Sequence, residues 1–325
     1  GAGVASRSSE ASRDAAVAIA VLPFADMSAA SDQAYLCEGM AEEIMNALVR
    51  VDGIRVASRA SAFRAQREGR DVPAIARVLS VGHILDGSVR TSGSRLRVTA
   101  QLTDVATGFH LWSERFDREA ADVFAVQDEI AAGVVDAVKA RLAPGSHALP
   151  ARPPARNLEA YRCYLRGRHL RHTIEDHAGA LSAFEDAVRI DPSHAPSWTG
   201  LAELNVLAAH FSLVPAREAC AAARAALSTA ERLQGESADA LYVEGFVAFI
   251  ERRWQAMEVA YRRAIDLQPG HVQALAAYGV MLSTRQKLPE ALPFFRRAEE
   301  ADPLAAFPYS LTGGGLLVCG RPEDA

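Results

Sequence analysis

The sequence predicts a small α/β domain followed by an all-α solenoid of helical hairpins. Three observations carry this. One pattern is written twice, 34 residues apart: Gly245 recurs as Gly279, Tyr261 as Phe295, Ala264 as Ala298 and Pro269 as Pro303. A fixed period of this length marks stacked hairpins, each too small to bury its apolar face alone. The first 142 residues instead alternate strand-like and helix-like segments. A Pro-rich stretch at 143–156 (APGSHALPARPPAR) stands between the two halves. The expected domains are therefore a linker at 1–15, an α/β domain at 16–142, the linker at 143–156 and a solenoid at 157–325.

In the α/β half, AVAIAVLPF ends at Phe24 and reads as a buried strand followed by a polar loop, Ala25 to Asp32. Cys37, Met40, Ala41, Ile44, Ala47 and Leu48 keep helical spacing, predicting an amphipathic helix over Gln33 to Arg50. Ile54 to Ser58 reads as a second strand, so strand, helix and strand make a βαβ unit with parallel strands. Asp71 caps a further helix, with Pro73 in its first turn. A three-stranded meander follows: His83 to Arg90, Arg95 to Asp104 and Phe109 to Phe116. Its middle strand alternates Leu96, Val98, Ala100 and Leu102 with Arg95, Arg97, Thr99, Gln101 and Thr103, one face buried and one wet. Val123, Val126, Ile130, Val134, Val138 and Leu142 define a last long helix.

In the solenoid, small residues at Gly245 and Gly279 are expected to let the two helices of a hairpin touch. Ala264 and Ala298 do the same on the second helix, and Pro269 and Pro303 stop it. Gly167, Ala180, Phe184, Ala187 and Pro192 give an earlier unit; Trp198, Leu201 and Ala202 open another, whose second helix runs from Ala219 to Leu233. Ala187 and Ala264 lie 77 residues apart, nine more than two periods. The expected insertion falls at His210–Pro215 and after Leu233. A fifth unit starts near Ala306, with Tyr309 and Gly313 in phase, and stops at Ala325. About four and a half repeats result, as in a piece of a longer protein.

The small-large-small positions and closing proline resemble the tetratricopeptide repeat. AVLPF, EGMAEEI (38–44), ILDGSVR (84–90), RVTAQL (97–102), HLWSERFDRE (110–119) and FAVQDEIA (124–131) together resemble the TolB-type amino-terminal domain. That resemblance implies the accessory half of a bacterial signalling protein. Its effector would be an upstream adenylate/guanylate cyclase, winged-helix regulator or kinase, often across a membrane helix. An extracytoplasmic location follows from the same resemblance, with a cytoplasmic one as the alternative. The family carries no established catalytic residues onto this chain.

Composition excludes little but is consistent with this. Of 325 residues 50% are hydrophobic, enough for real cores, and the net charge of −5 gives no bulk electrostatic case for nucleic acid. Cys37, Cys163, Cys220 and Cys319 form no CxxC pair, and no apolar run reaches membrane-spanning length.

Four groups of residues carry possible chemistry, and each has a plainer explanation. His169, His172 and His177 with Glu175 and Asp176 form a metal-capable cluster, but Arg166, Arg168 and Arg171 beside it repel a cation. Thr312-Gly313-Gly314-Gly315 has neither a preceding strand nor the Gly-Lys-Ser/Thr of a phosphate loop. Asp26, Asp32, Glu38, Glu42 and Glu43 gather around the first helix, where acidic residues also complement its dipole. The polar face of the middle strand reads as solvated sheet. No cofactor, metal or catalytic residue is therefore assigned, and this chain is expected to be non-catalytic.

The expected function is protein or peptide recognition on the first helix of each hairpin. Tyr164, Arg168 and Arg171 come from the first unit, Glu203, Val206 and His210 from the second, and Tyr242, Phe246, Phe249 and Arg253 from the third. An apolar patch beside a basic entrance would suit a segment with hydrophobic anchors and an acidic end. Phe246 and Phe249 packing against the α/β domain or the insertion is the plainer alternative. Two rival readings stand: a ligand or nucleotide sensor using the α/β domain, and a stand-alone cell-envelope assembly factor. The first βα turn, Ala25-Asp26-Met27-Ser28, lacks the glycines a nucleotide pocket normally brings.

Overall fold

The computed structural model describes residues 17–29, 33–138, 157–171, 176–304, 312–314 and 316–317. The chain divides into two compact units, Gly1–Pro154 and Ala155–Ala325.

The first unit is built on a six-stranded mixed sheet. Its elements are β1 (Val17–Val21), β2 (Ala25–Asp26), α1 (Ala34–Leu48), β3 (Ile54–Val56), α2 (Arg59–Arg67), α3 (Val72–Leu79), β4 (His83–Ser92), β5 (Arg95–Asp104), β6 (His110–Glu119) and α4 (Val123–Val138). The strand order is β3-β1-β4-β5-β6, with β2 paired beside β4. β1 pairs in parallel with both β3 and β4, and β4, β5 and β6 form the antiparallel meander. β1 is apolar throughout because both its faces are covered, as parallel strands require. Chain order reverses at β1, so the right-handed connections place α1 on one face and α2–α3 on the other. α4 packs beside α1 on the face formed by Leu96, Val98, Ala100 and Leu102.

Several expectations change. Ala25–Asp26 is a short strand rather than loop, its backbone pairing with Ser88 and Val89. α2 was not expected: RASAFRAQR is mostly polar and buries only Ser61, Ala62, Phe63 and Ala65, so periodicity conceals it. Its local signal is Ser58, whose hydroxyl accepts the Ser61 N–H as an N-cap. Asp71 caps α3 as its position implies, accepting from the Ala74 N–H at 2.8 Å. The polar face of β5 is wet only at one end. Arg95 and Arg97 are exposed, but Thr103 is buried and its hydroxyl meets His110 Nδ1 at 3.1 Å.

The second unit contains four helical hairpins within the described residues. They are α5 (Leu158–Leu170) with α6 (His177–Ile190), α7 (Ala195–His210) with α8 (Ala216–Gln234), α9 (Ala238–Ile250) with α10 (Trp254–Leu267), and α11 (Val272–Thr284) with α12 (Leu288–Ala301). Each second helix packs on the first helix of the next hairpin, and α7 packs directly on α9. Tyr309 and most of the expected fifth unit lie outside the described residues, as do the two linkers.

The repeated glycines bring the two helices of a hairpin into contact as expected, and the contact is specific: each seats an aromatic ring from the second helix. A Cβ on Gly245 would lie 2.3 Å from the Tyr261 ring, and one on Gly279 would lie 2.6 Å from Phe295. Phe184 serves two glycines, Gly167 of its own hairpin and Gly200 of the next, at 2.9 and 2.4 Å. Small and large residues therefore alternate along the sequence because ring and glycine interdigitate in space.

The nine extra residues are also not a loop insertion. α7 has 16 residues where α5, α9 and α11 have 13, and α8 has 19 where α6, α10 and α12 have 14. The turn between α7 and α8 runs from Phe211 to Pro215, and only Gly235 to Ser237 follow α8. Most of the extra length is helix, because AREACAAARAALSTAERLQ is rich in strong helix formers and has no breaker before Gly235.

Candidate functional site: the aromatic face of the first helices

Position on α9 decides what this face presents. Asp239, Tyr242, Phe246 and Phe249 recur at three- and four-residue spacing and share one side of the helix. Val243 and Val247 point the other way, into the core with Ala202, Val206, Cys220 and Ala223.

An aromatic row results. The Tyr242 and Phe246 rings lie 6.3 Å apart, Phe246 and Phe249 6.2 Å, and Phe249 and Trp254 6.3 Å. From α7, His210 meets Phe246 edge-on at 5.3 Å and also packs near Phe249 and Phe211. The outer members stay open: Phe249 is 39% exposed, Phe211 45% and Trp254 48%. Phe246 and Tyr242 are half-buried. Phe246 and Phe249 thus pack on the lengthened second hairpin and still leave an apolar surface.

Beyond Tyr242 the face turns polar. Arg171 on the α5 end bridges Glu203 of α7 at 2.6 Å, and Arg168 donates to the Tyr164 hydroxyl at 2.8 Å. His271 caps α11 by accepting the Ala274 N–H on Nδ1, while its Nε2 meets Asp239 at 3.0 Å. Against the desolvation that would raise it, His271, Arg168 and Arg171 hold the Asp239 carboxyl down to about 2. The Asp239 side chain is nevertheless 81% open to water. Its wet surface governs what the pair is worth, which places it with weak surface ion pairs.

The ten expected residues therefore divide. His210, Tyr242, Phe246 and Phe249 come together in the row, and Glu203 with Arg171 forms its polar neighbour. Val206 shares its side of α7 with Glu203 and His210, but α9 covers it there: it is fully buried with Val243 and Val247 and offers no contact. Tyr164 is only 5% exposed, packed against Phe184 and His194. The basic entrance is partly offset: Arg171 is matched by Glu203, and Arg253 at 2.8 Å shares Glu251 with Arg224. Asp239, His271, Trp254 and Phe211 belong to this face but were missed. Asp239 was legible, three residues before Tyr242; His271 lies on another hairpin, so no local spacing links it.

The other candidate clusters have structural explanations. Asp26 accepts the backbone N–H groups of Ser28 and Gln33. Arg59 of α2 reaches both Glu38 and Glu42, at 3.1 and 3.4 Å, and supplies the cation the acidic group needs. Asp32 lies outside the described residues, as do His172, Glu175, Gly315 and Cys319. Thr312 donates to Glu299 at 2.7 Å. Asp117 joins Arg95 and Arg97 across the open face of β5. No group of three or more His, Cys, Asp or Glu side chains able to hold a metal occurs among the described residues. No described helix is long and apolar enough to cross a membrane.

This geometry defines an array of helical hairpins resembling tetratricopeptide repeats, preceded along the chain by a mixed α/β unit. No family model matches the chain. A Rhizobium meliloti (strain 1021) protein named "Putative adenylate cyclase 3" is 36% identical over 185 residues, covering 56% of this chain and 32% of that one. The chain thus spans about a third of that relative's length. Among solved structures, TTC0263, a tetratricopeptide protein of Thermus thermophilus, is 18% identical with a TM-score of 0.42, covering 61% of this chain and 95% of its own. YrrB, described as a tetratricopeptide protein with an unusual peptide-binding site, is 22% identical with a TM-score of 0.33, covering 50% and 79%. At those scores the repeat assignment rests on the hairpins and ring–glycine contacts themselves.

Proposed function

We propose that the helical unit recognises a protein segment across α7 and α9, within the non-catalytic region of a larger bacterial signalling protein. The observation that carries this is the row His210, Tyr242, Phe246 and Phe249, continued to an exposed Trp254 on an otherwise well-packed unit. Large apolar side chains left open together mark recognition surfaces. With Arg171 engaged by Glu203 and Arg253 by Glu251, the ligand's recognition comes chiefly from apolar anchors. The name of the Rhizobium relative supports a signalling context, and an upstream cyclase is the effector it favours. The TolB-type reading of the first unit rests on the order of its motifs, and an extracytoplasmic location on that reading alone.

Phe249 is the better probe, because Phe246 also supports the core beneath it. Phe249→Ala is expected to weaken binding of peptides selected from a displayed random library by about 1–3 kcal/mol. Its cost in stability should be under about 1 kcal/mol, since the ring is well exposed. A library that yields no binder, or binders that hold Phe249→Ala equally well by calorimetry, would sink the assignment. The purified chain is also expected to turn over neither ATP nor GTP; turnover abolished by a substitution within β1–α4 would favour the sensor-enzyme reading instead.

A further inference from the structure

The outer edge of β6 is a second surface, independent of the helical face. β6 ends the sheet, and among the described residues no strand pairs with its outer side. The two-residue turn Gly93-Ser94 sets Ser92 opposite Arg95 as a hydrogen-bonded pair. Alternation then makes the odd residues of β5 bond to β4 and the even ones to β6. Leu96, Val98 and Ala100 face Arg118, Phe116 and Glu114. The backbone N–H and C=O groups of Ser113, Arg115, Asp117 and Glu119 are therefore aimed outward.

The charges along this edge are self-complementary. Laid antiparallel against a second copy with Phe116 opposite Phe116, Glu114-Arg115-Phe116-Asp117-Arg118 sets Arg115 opposite Asp117 and Glu114 opposite Arg118, each pair twice. Faces agree as well: Arg115 and Asp117 lie on the open side of the sheet, Glu114 and Arg118 on the side covered by α4. The bonding pattern fits, because Arg115 and Asp117 are the residues with outward-facing backbone groups. Centring on Arg115 or Asp117 instead would set like charges opposite each other, which disfavours those registers. Charges on an edge strand ordinarily block pairing; this order of charges admits the strand's own twin.

A cleft of about 510 Å³ runs beside this edge, lined by Leu111, Trp112, Glu114, Phe116, Glu129 and Asp136 among others. It is acidic, and Arg118 already bridges Glu129 at 3.3 Å from its rim. A second copy would bring another Arg118 to Glu114, supplying the charge the cleft favours.

We propose that the chain self-associates through β6, two copies joining antiparallel about a two-fold axis at Phe116 into one continuous sheet. Such an interface is isologous and closes on itself. Analytical ultracentrifugation of the 325-residue chain tests it. The wild type should sediment as a concentration-dependent dimer. Arg118→Glu, which sets Glu opposite Glu114, should raise the dissociation constant about tenfold or more with unchanged circular dichroism. Combining it with Glu114→Arg restores opposite charges and should restore the dimer. A wild type that stays monomeric, a dimer indifferent to Arg118→Glu, or a failure of the charge swap to restore it would each overturn the proposal. So would a monomer whose β6 amides gain exchange protection only when a lysine-rich extended peptide is added, since the edge would then serve a different partner.

Discussion

Phe184→Ala is expected to cost about 3–5 kcal/mol, the range for removing a fully buried aromatic ring. Phe184 is 0% exposed. Its ring lies over Gly167 on one side and Gly200 on the other, and meets Tyr164 edge-on at 6.0 Å. Two of its neighbours thus have no side chain that could move into the vacated space, so the cavity persists. One deletion also loosens two hairpins at once, because Gly167 belongs to α5 and Gly200 to α7. Thermal melts followed by far-ultraviolet circular dichroism check this, with Glu185→Ala, exposed on the same helix, as a control costing under about 0.5 kcal/mol. A loss for Phe184→Ala below about 1 kcal/mol would mean that the helices close over the void and that the ring–glycine contact is not what sets their spacing.

Gly87→Ala is expected to destabilise the α/β unit by about 3 kcal/mol, at the upper end for overpacking. A Cβ at this position would lie 2.0 Å from the Thr99 carbonyl oxygen and 2.6 Å from the Phe24 ring. The first obstacle is backbone, which no rotamer change can clear, so β4 and β5 must part locally. β4 is also the strand that joins the parallel half of the sheet to the antiparallel half. Hydrogen exchange should show protection lost through residues 83–104. Unchanged protection, with denaturation midpoints within experimental error of wild type, would show that the ladder bends around the methyl group at little cost.

The acidic group around α1 illustrates how a site can look more chemical in sequence than in space. Asp26, Glu38 and Glu42 are near one another along the chain, but Arg59, which matches Glu38 and Glu42, comes from a helix with almost no periodic signal. The aromatic face shows the reverse. Tyr242, Phe246 and Phe249 were legible because helical spacing alone puts them on one side of α9. Val206 was misplaced because spacing gives its side of α7 but not the depth at which α9 packs over that side and buries it.

The sequence by itself determined the hairpin period, the βαβ unit, the meander and the three aromatic positions of α9. Each of these is written in local spacing, in caps such as Asp71, or in a repeat of fixed length. Only the tertiary structure decided that the glycines seat rings, that the extra nine residues lengthen α7 and α8, that Arg171 and Arg253 are matched by acids, and that β6 ends the sheet with an edge unpaired among the described residues. Those features depend on which distant residues come together, and that is set by packing between elements rather than by the pattern within any one of them.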